Sequence, residues 1–196
     1  MKLIHCDLKP ENILIKSYSK SEVKIIDFGS SCYIHDHLSS YVQSRSYRAP
    51  EVIIGCKYDY KIDIWSLGCI LAELWTGSVL FQNDTVQGLL ARVIGIVGPI
   101  PENMMIDGKL VNKFFTKNEK LLYQDCYLDD GQSQNYPDLS DADYSRKKVK
   151  TGKIQILIPK MTNLKHRLKT NDMFFLDFVR QLLQIDPSKR PTAEEA

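Results

Sequence analysis

Residues 5–12 read His-Cys-Asp-Leu-Lys-Pro-Glu-Asn, and the other motifs of the chain are interpreted relative to this stretch. It places a carboxylate at Asp7, a cation at Lys9 and an amide at Asn12. Asp-Phe-Gly follows at residues 27–29 and Ala-Pro-Glu at residues 49–51. Three short motifs in a fixed order are much harder to reach by chance than one, so we interpret them as a set.

The three motifs resemble the catalytic loop, the D-F-G motif and the A-P-E motif of protein kinases. The chain departs from the loop pattern H-R-D-L-x-x-x-N at Cys6, where most kinases have arginine. The resemblance covers residues 1–196 and implies a partial protein kinase domain. We expect a mainly α fold: a kinase C-terminal lobe with a small β-hairpin that carries the catalytic and D-F-G motifs, and with the N-terminal lobe absent.

Composition is that of a soluble globular domain, with 196 residues, 43% hydrophobic and 26% charged. A net charge of +2 gives no reason to expect a nucleic acid or a membrane as partner. The five cysteines form no C-x-x-C pair. An odd number of unpatterned cysteines predicts reduced thiols in an intracellular protein of the cytoplasm or nucleus.

Two short apolar runs predict a β-hairpin, residues 12–15 and residues 23–26, joined by a serine-rich connection. Asn12 then lies at the start of one strand and Asp27 at the exit of the other. Strand pairing would bring the two oxygen-bearing side chains near one another, as a divalent cation requires.

Helical patterns follow. Lys61 to Thr76 predicts a buried helix that ends at Gly77, because apolar residues occupy nearly every face. Thr85 or Asp84 can cap a second helix, which continues to Val97. Met173 to Ile185 predicts a third, amphipathic helix.

Two regions carry weaker or shorter signals. Residues 99–172 show little periodicity, and their polar part, residues 129–150, is either a solvated insert or a docking surface. Thr192 to Glu195 is a capping box of the T-x-x-E type, which announces a helix start. The motifs begin at residue 5 and this box lies at the last residues, so we expect a truncated chain.

The motif residues suit phosphoryl transfer from ATP, which needs positioning and positive charge more than covalent chemistry. Asp7 suits the base that accepts the proton of a substrate hydroxyl, and Lys9 can offset charge on the transferred phosphate. Asn12 and Asp27 offer hard oxygen ligands to Mg²⁺. The expected cofactors are therefore ATP and Mg²⁺.

Further residues take roles from the resemblance alone. Leu14 and Ile26 resemble residues that contact the nucleotide, with Leu14 under the adenine ring. Phe28 resembles the motif phenylalanine that packs on His5 and sets the active arrangement. Asp63 resembles the anchor that holds the backbone of the catalytic loop.

Glu51 resembles the carboxylate that pairs with a distant arginine, here Arg190, in a structural role. Removing one partner of such a buried pair typically costs about 3–5 kcal/mol.

The segments 27–33 and 41–48 closely resemble the dual-specificity tyrosine-regulated kinases, the DYRK family of the CMGC group. On this resemblance, residues 30–51 are an activation segment and residues 99–172 include a CMGC-type insert. The implied enzyme phosphorylates serine and threonine of protein substrates at proline-directed sites, and autophosphorylates a tyrosine.

Tyr41 is the expected autophosphorylation site. The family has a Y-x-Y pair, and its first tyrosine is replaced here by Ser39. Ser44, Arg45 and Arg48 are the expected contacts of the phosphotyrosine and of the residue after the phosphorylated one. Because Cys6 replaces the usual arginine, the binding of that phosphate is left to other cations, here Arg45 and Arg48. Their guanidinium groups match phosphate oxygens.

Three functions remain open. The chain has no G-x-G-x-x-G loop and no V-A-I-K lysine, which cover and align the nucleotide phosphates in kinases. It is therefore expected to be either a weakly active or inactive kinase fragment, or a catalytically dead binding or decoy module. A small-molecule phosphotransferase is disfavoured, because Ala-Pro-Glu at residues 49–51 and the Asp63–Gly68 motif build a platform for peptide substrates.

Overall fold

The computed structural model describes residues 3–35, 42–128 and 149–196, and side chains are not described for residues 127, 128 and 149–151. Six α-helices lie in the described part of the chain. They are α1 (Pro50–Ile54), α2 (Lys61–Thr76), α3 (Val86–Ile96), α4 (Glu102–Asp107), α5 (Leu164–Leu168) and α6 (Met173–Leu182). None of these helices is long and apolar enough to cross a membrane.

The strands of the described residues form three separate antiparallel pairs. Strand β1 (Leu3–Ile4) pairs with β4 (Cys32–Tyr33), β2 (Ile13–Ser17) with β3 (Glu22–Ile25), and β5 (Tyr123–Leu128) with β6 (Val149–Ile156). The β2–β3 pair is the predicted hairpin, in which Ile13 lies opposite Ile25.

The predicted mainly α class with one small β-hairpin is wrong, because three two-stranded sheets are present in the described residues. The β5–β6 pair was missed because Gln124 and Asp125 are adjacent polar residues in β5, and Gly152 interrupts β6 so that only its last four residues alternate. The β1–β4 pair has two residues per strand, which is too short to leave a pattern.

Helix α2 is the centre of the core, and its predicted bounds are confirmed. Trp65 is fully buried, and Gly77 ends the helix in the left-handed conformation at φ 71°. A Cβ on Gly68 would come within 2.8 Å of the Leu183 side chain, so a glycine is needed where α2 meets the end of α6. The two helices therefore pack in direct contact.

Among the other helices, α3 and α6 were predicted from the sequence, whereas the short helices α1, α4 and α5 were not. Thr85 is the cap of α3, since its Oγ1 accepts a hydrogen bond from Gly88 N at 3.0 Å. Helix α6 ends at Leu182, three residues before the predicted end at Ile185, because Leu183 leaves the helical conformation at ψ 27°.

The predicted capping box near the last residues is confirmed. Thr192 N donates to Glu195 Oε2 at 2.8 Å, and Glu195 N donates to Thr192 Oγ1 at 3.3 Å. The two residues thus satisfy each other's backbone amides, which is the reciprocal pattern of this motif.

Candidate active site

The loop that carries the candidate base is held by a carboxylate of α2. Asp63 accepts from His5 N at 2.7 Å and from Cys6 N at 3.1 Å. Burial raises the pKa of the Asp63 carboxyl, and the two backbone donors offset only part of that rise. These bonds hold Cys6 in a left-handed conformation at φ 66°, which is uncommon for a residue with a Cβ.

Position 6 presents no cation to the activation segment. The Cys6 side chain is fully buried, and its Sγ lies 3.5 Å from Cys32 Sγ. Any phosphate on that segment would therefore need another partner.

Asp7 lies in a cluster with Ser44 and Lys9. Its Oδ1 accepts from Ser44 N at 3.0 Å and from Ser44 Oγ at 2.7 Å, and Lys9 Nζ lies 2.9 Å from Asp7 Oδ2. Lys9 Nζ also donates to Ser44 Oγ at 3.3 Å. The carboxylate is thus oriented through both of its oxygens.

The surroundings favour the charged forms of both Asp7 and Lys9. Burial alone would raise the pKa of Asp7, but the hydrogen bond from Ser44 Oγ and the ion pair with Lys9 outweigh it and hold the pKa below its ordinary value. The hydrogen bond to Asp7 likewise raises the pKa of Lys9. Asp7 is therefore an ionised acceptor at neutral pH.

Ser44→Ala is expected to raise the pKa of Asp7, because it removes the Oγ–H donor and leaves the backbone donor in place. The pKa of the wild-type group lies below its unfolded value, so its contribution to stability is present above the unfolded pKa and is lost as pH falls through the folded one. In the variant this loss should be smaller and should be complete at a higher pH, because the folded pKa lies closer to the unfolded one. Carbon-13 NMR titration of the Asp7 carboxyl measures the shift.

The control for this titration is Ser188→Ala. Ser188 Oγ donates to the carboxylate of Asp186 at 2.7 Å, outside the cluster. This variant should leave Asp7 unchanged, and an equal or absent shift of Asp7 in the two variants contradicts the role given to Ser44.

Asn12 and Asp27 flank the β2–β3 hairpin, and Ile26 N donates to Asn12 O at 3.0 Å. Asn12 is buried and its amide nitrogen donates to Asp7 O at 2.9 Å, which leaves the amide oxygen as the acceptor end. The exposed Asp27 has φ 62° and accepts from Gly29 N at 3.3 Å. Because one carboxylate and one amide oxygen suit Mg²⁺, which keeps waters and takes substrate phosphates, the pair fits this ion.

The described residues contain no group of three or more His, Cys, Asp or Glu side chains that could hold a metal. A tightly chelated zinc-type site is thus not seen in this part of the chain. A two-ligand Mg²⁺ site that depends on nucleotide phosphates does not need such a group.

His5 links the catalytic loop to the Asp-Phe-Gly segment. Its Nδ1 accepts from Asp7 N at 3.2 Å, which assigns the ring proton to Nε2, 3.0 Å from Ile26 O. The ring of Phe28 meets His5 edge-on at 5.0 Å between centroids. Leu14 is 49% exposed on β2, so its side chain is open to a ligand.

The described part of the activation segment is fastened to α2 by Gln43. Its Nε2 donates to Ile62 O at 2.9 Å and to Ser66 Oγ at 2.8 Å, and its Oε1 accepts from Ala49 N at 2.9 Å. Gln43 N also donates to Cys6 O at 2.9 Å. Sequence reasoning missed this buried residue, although the polar Ser66 within an apolar helix was a signal that a polar partner exists.

Arg48 is buried and lies beneath the same segment. Its Nε donates to Val42 O at 2.9 Å, and its Nη2 donates to Gln43 O at 2.8 Å. Arg45 contacts a different element, since its Nη1 donates to Asp84 O at 2.8 Å before α3. The predicted phosphorylation site Tyr41 lies outside the described residues.

Glu51 and Arg190 form a bidentate ion pair. Arg190 Nη1 lies 2.5 Å from Glu51 Oε1, Nη2 lies 2.7 Å from Oε2, and both side chains are at most 1% exposed. The guanidinium also lies 5.1 Å from the centre of the Trp65 ring. The pair joins α1 to the core, so its role is structural, unlike that of the Asp7 cluster.

Of the predicted residues, the structure thus joins Asp7, Lys9 and Ser44 in one cluster. His5 contacts Phe28, and Asp63 holds the catalytic loop. Asn12 O accepts a hydrogen bond from Ile26 N, directly before Asp27. Arg45 and Arg48 lie apart from this cluster, and each donates hydrogen bonds to backbone carbonyl oxygens.

Comparison with known proteins identifies the family. Residues 1–196 match the protein kinase domain family. The chain is 42% identical over 196 residues to dual specificity tyrosine-phosphorylation-regulated kinase 3 of Mus musculus. It is 39% identical over 195 residues to dual specificity tyrosine-phosphorylation-regulated kinase 4 of Homo sapiens. It is also 36% identical over 212 residues to serine/threonine-protein kinase ppk15 of Schizosaccharomyces pombe. These alignments cover 100% of the chain and 32%, 33% and 38% of the relatives.

The chain thus spans about a third of the length of the curated relatives it matches. The match to the kinase domain family extends from residue 1 to residue 196 and is not confined to one lobe. The assignment as a C-terminal lobe with the N-terminal lobe absent is therefore wrong. The chain belongs to the protein kinase domain family.

Proposed function

We propose that this chain carries the catalytic centre of a DYRK-type serine/threonine protein kinase, which transfers the γ-phosphate of ATP to protein hydroxyls and autophosphorylates Tyr41. The observation that carries the proposal is the Asp7–Ser44–Lys9 cluster, with Asp7 Oδ1 2.7 Å from Ser44 Oγ and Oδ2 2.9 Å from Lys9 Nζ. Protein kinase domains use ATP and a divalent cation. The relatives named above are protein kinases by name.

Each residue has a distinct task in this proposal. Asp7 accepts the proton of the substrate hydroxyl, and Ser44 fixes the orientation of the carboxylate. Lys9 offsets charge on the transferred phosphate. Asn12 and Asp27 would hold Mg²⁺, which neutralises the nucleotide phosphates.

The assay that tests the function measures transfer of γ-labelled phosphate to a serine peptide, with Mg²⁺ present. It is run with enzyme in excess over peptide, because the sequence predicts low turnover. Transfer to serine supports the kinase. Its absence, in a chain that is folded by circular dichroism, contradicts the kinase and favours the binding or decoy module.

The contacts of Arg48 support a preference for proline directly after the target residue. Arg48 Nη2 donates to Gln43 O at 2.8 Å, and Gln43 has φ 68°, so this carbonyl is turned towards the arginine. A carbonyl used in this way does not accept from an incoming substrate amide. Proline has no backbone N–H and loses nothing there, whereas another residue would bury an unpaired donor.

A peptide with proline after serine is therefore expected to react at least about fivefold faster, in kcat/KM, than its alanine counterpart, since an unpaired buried donor costs about 1–3 kcal/mol. Arg48→Met should reduce the ratio. Lys165→Met, a change at an exposed cation on α5, should not. Equal rates for the two peptides with the wild-type chain contradict the proline preference.

A further inference from the structure

A pocket at the C-terminal end of α2 contains none of the residues of the candidate active site. It has a volume of about 410 Å³ and lies between residues 75–80, at the end of α2, and residues 166–169, at the end of α5. Two cationic residues line it, Arg167 and Lys169, together with the imidazole of His166. Among the lining residues, none is acidic.

The cations of this pocket are exposed, and no ion pair joins them to a carboxylate of the described residues. Ser78 adds a hydroxyl group to the same wall, whereas the Thr76 hydroxyl donates within the chain, to Ala72 O at 2.8 Å. The region therefore offers positive charge and hydrogen-bond donors that the described part of the chain leaves unneutralised.

The pocket wall is held in place by packing. Trp75 Nε1 donates to Leu168 O at 3.1 Å, and the Trp75 ring packs on Phe175 at 4.7 Å between centroids. Leu168 itself is 1% exposed, which anchors the residues on either side of it. The cationic side chains are thus presented from a fixed backbone.

We propose that this pocket, the α2–α5 pocket, binds a phosphorylated serine or threonine of a protein partner. A phosphate carries a charge near −2 and three acceptor oxygens, which match the guanidinium fork of Arg167, the ammonium of Lys169 and the hydroxyl of Ser78. The concave shape fits a single side chain. A flat lipid surface would not reach into a concavity, and nucleic acid would need an extended row of cations, which a chain with net charge +2 does not indicate.

The test measures binding of a seven-residue peptide, phosphoserine flanked by alanine and glycine, to the 196-residue chain without nucleotide. Because catalysis is not involved, the outcome is independent of the proposed kinase activity. Of the two tryptophans, Trp65 is fully buried and Trp75 is 52% exposed, so quenching of fluorescence reports on the pocket. Trp75→Phe should abolish the response.

The phosphopeptide should bind saturably, and its unphosphorylated form should not. Arg167→Glu with Lys169→Glu should weaken binding by about tenfold or more. The matched control is Lys109→Glu with Lys117→Glu, which makes the same charge change at two exposed lysines outside the pocket and should alter binding less than about twofold. Thermal melts by circular dichroism verify that each variant is folded.

Three outcomes overturn the proposal: equal binding of the two peptides, equal loss in both double variants, and no binding of the phosphopeptide. A parallel sedimentation assay uses vesicles of phosphatidylserine and phosphatidylcholine. Vesicle binding that depends on Arg167 and Lys169, without phosphopeptide binding, assigns the pocket to a membrane surface and overturns the proposal as well.

Discussion

Asp7→Asn is expected to reduce phosphoryl transfer by about 10²–10⁴-fold, the range that a positioned general base contributes. Asparagine has nearly the same shape but cannot accept the hydroxyl proton. It can still accept hydrogen bonds from Ser44 N and Ser44 Oγ, which lie 3.0 and 2.7 Å from Asp7 Oδ1 in the wild type. The fold should therefore survive the substitution.

The measurement is single-turnover transfer from γ-labelled ATP, with phosphopeptide mass spectrometry at Tyr41 as a second readout. The matched control is Asp177→Asn, which changes an exposed carboxylate on α6 that bonds only Arg180 and Gln181 in the described residues. Control activity should equal that of the wild type. Transfer by the Asp7→Asn variant at the wild-type rate would refute the assignment of Asp7 as the base.

Glu51→Gln is expected to lower the free energy of unfolding by about 3–5 kcal/mol, because it leaves the charge of Arg190 buried without its partner. The guanidinium has few alternatives. Its remaining donors already contact the backbone carbonyls of Lys61, Gln184 and Ile185. No water can replace the carboxylate easily where both side chains are at most 1% exposed.

Urea denaturation measures this loss, and a double-mutant cycle with Arg190→Met separates the pair from its surroundings. The double variant should lose much less than the sum of the two single variants. The exposed pair Lys16–Glu22, with side chains 66% and 41% exposed, is the control, and Glu22→Gln should cost at most about 1 kcal/mol. Additive losses across the buried pair would contradict the coupling.

Local signals in the sequence were sufficient for α2, α3 and most of α6, whereas the short helices α1, α4 and α5 were not predicted. The apolar residues of Lys61–Thr76, the stop at Gly77 and the cap at Thr85 each depend on neighbouring residues, so they are readable without the fold. The capping box of Thr192 and Glu195 belongs to the same class. Even so, the end of α6 was placed three residues too late, since apolar spacing continues after the helix has ended.

The strands of residues 99–172 were not readable, and the expected fold class was wrong partly for this reason. Strands β5 and β6 are separated by residues 129–148, and their pairing depends on contacts between distant parts of the chain. Asp125 in β5 and Gly152 in β6 are residue types that are rare in strands, so these segments resemble loops in the sequence.

Part of the candidate site was likewise predictable from the sequence, and part was not. Motif spacing predicts that Asp7, Lys9 and Asn12 act together, because they lie in one loop. It says nothing of Gln43, whose partners Ile62 and Ser66 lie on another element. Ser44 was assigned to the phosphotyrosine region, yet it contacts the candidate base, which only the path of the folded chain determines.

Asp63 accepts hydrogen bonds from the backbone of His5 and Cys6 across separations of 58 and 57 residues. A left-handed residue other than glycine is unfavourable by about 1–3 kcal/mol, so the conformation of Cys6 is not stable until α2 is in place. Because these bonds are non-local, we expect them to form after the local helices. We therefore expect the loop that bears Asp7 to acquire its working shape late in folding, so that partly folded forms of this chain would have helices without a competent base.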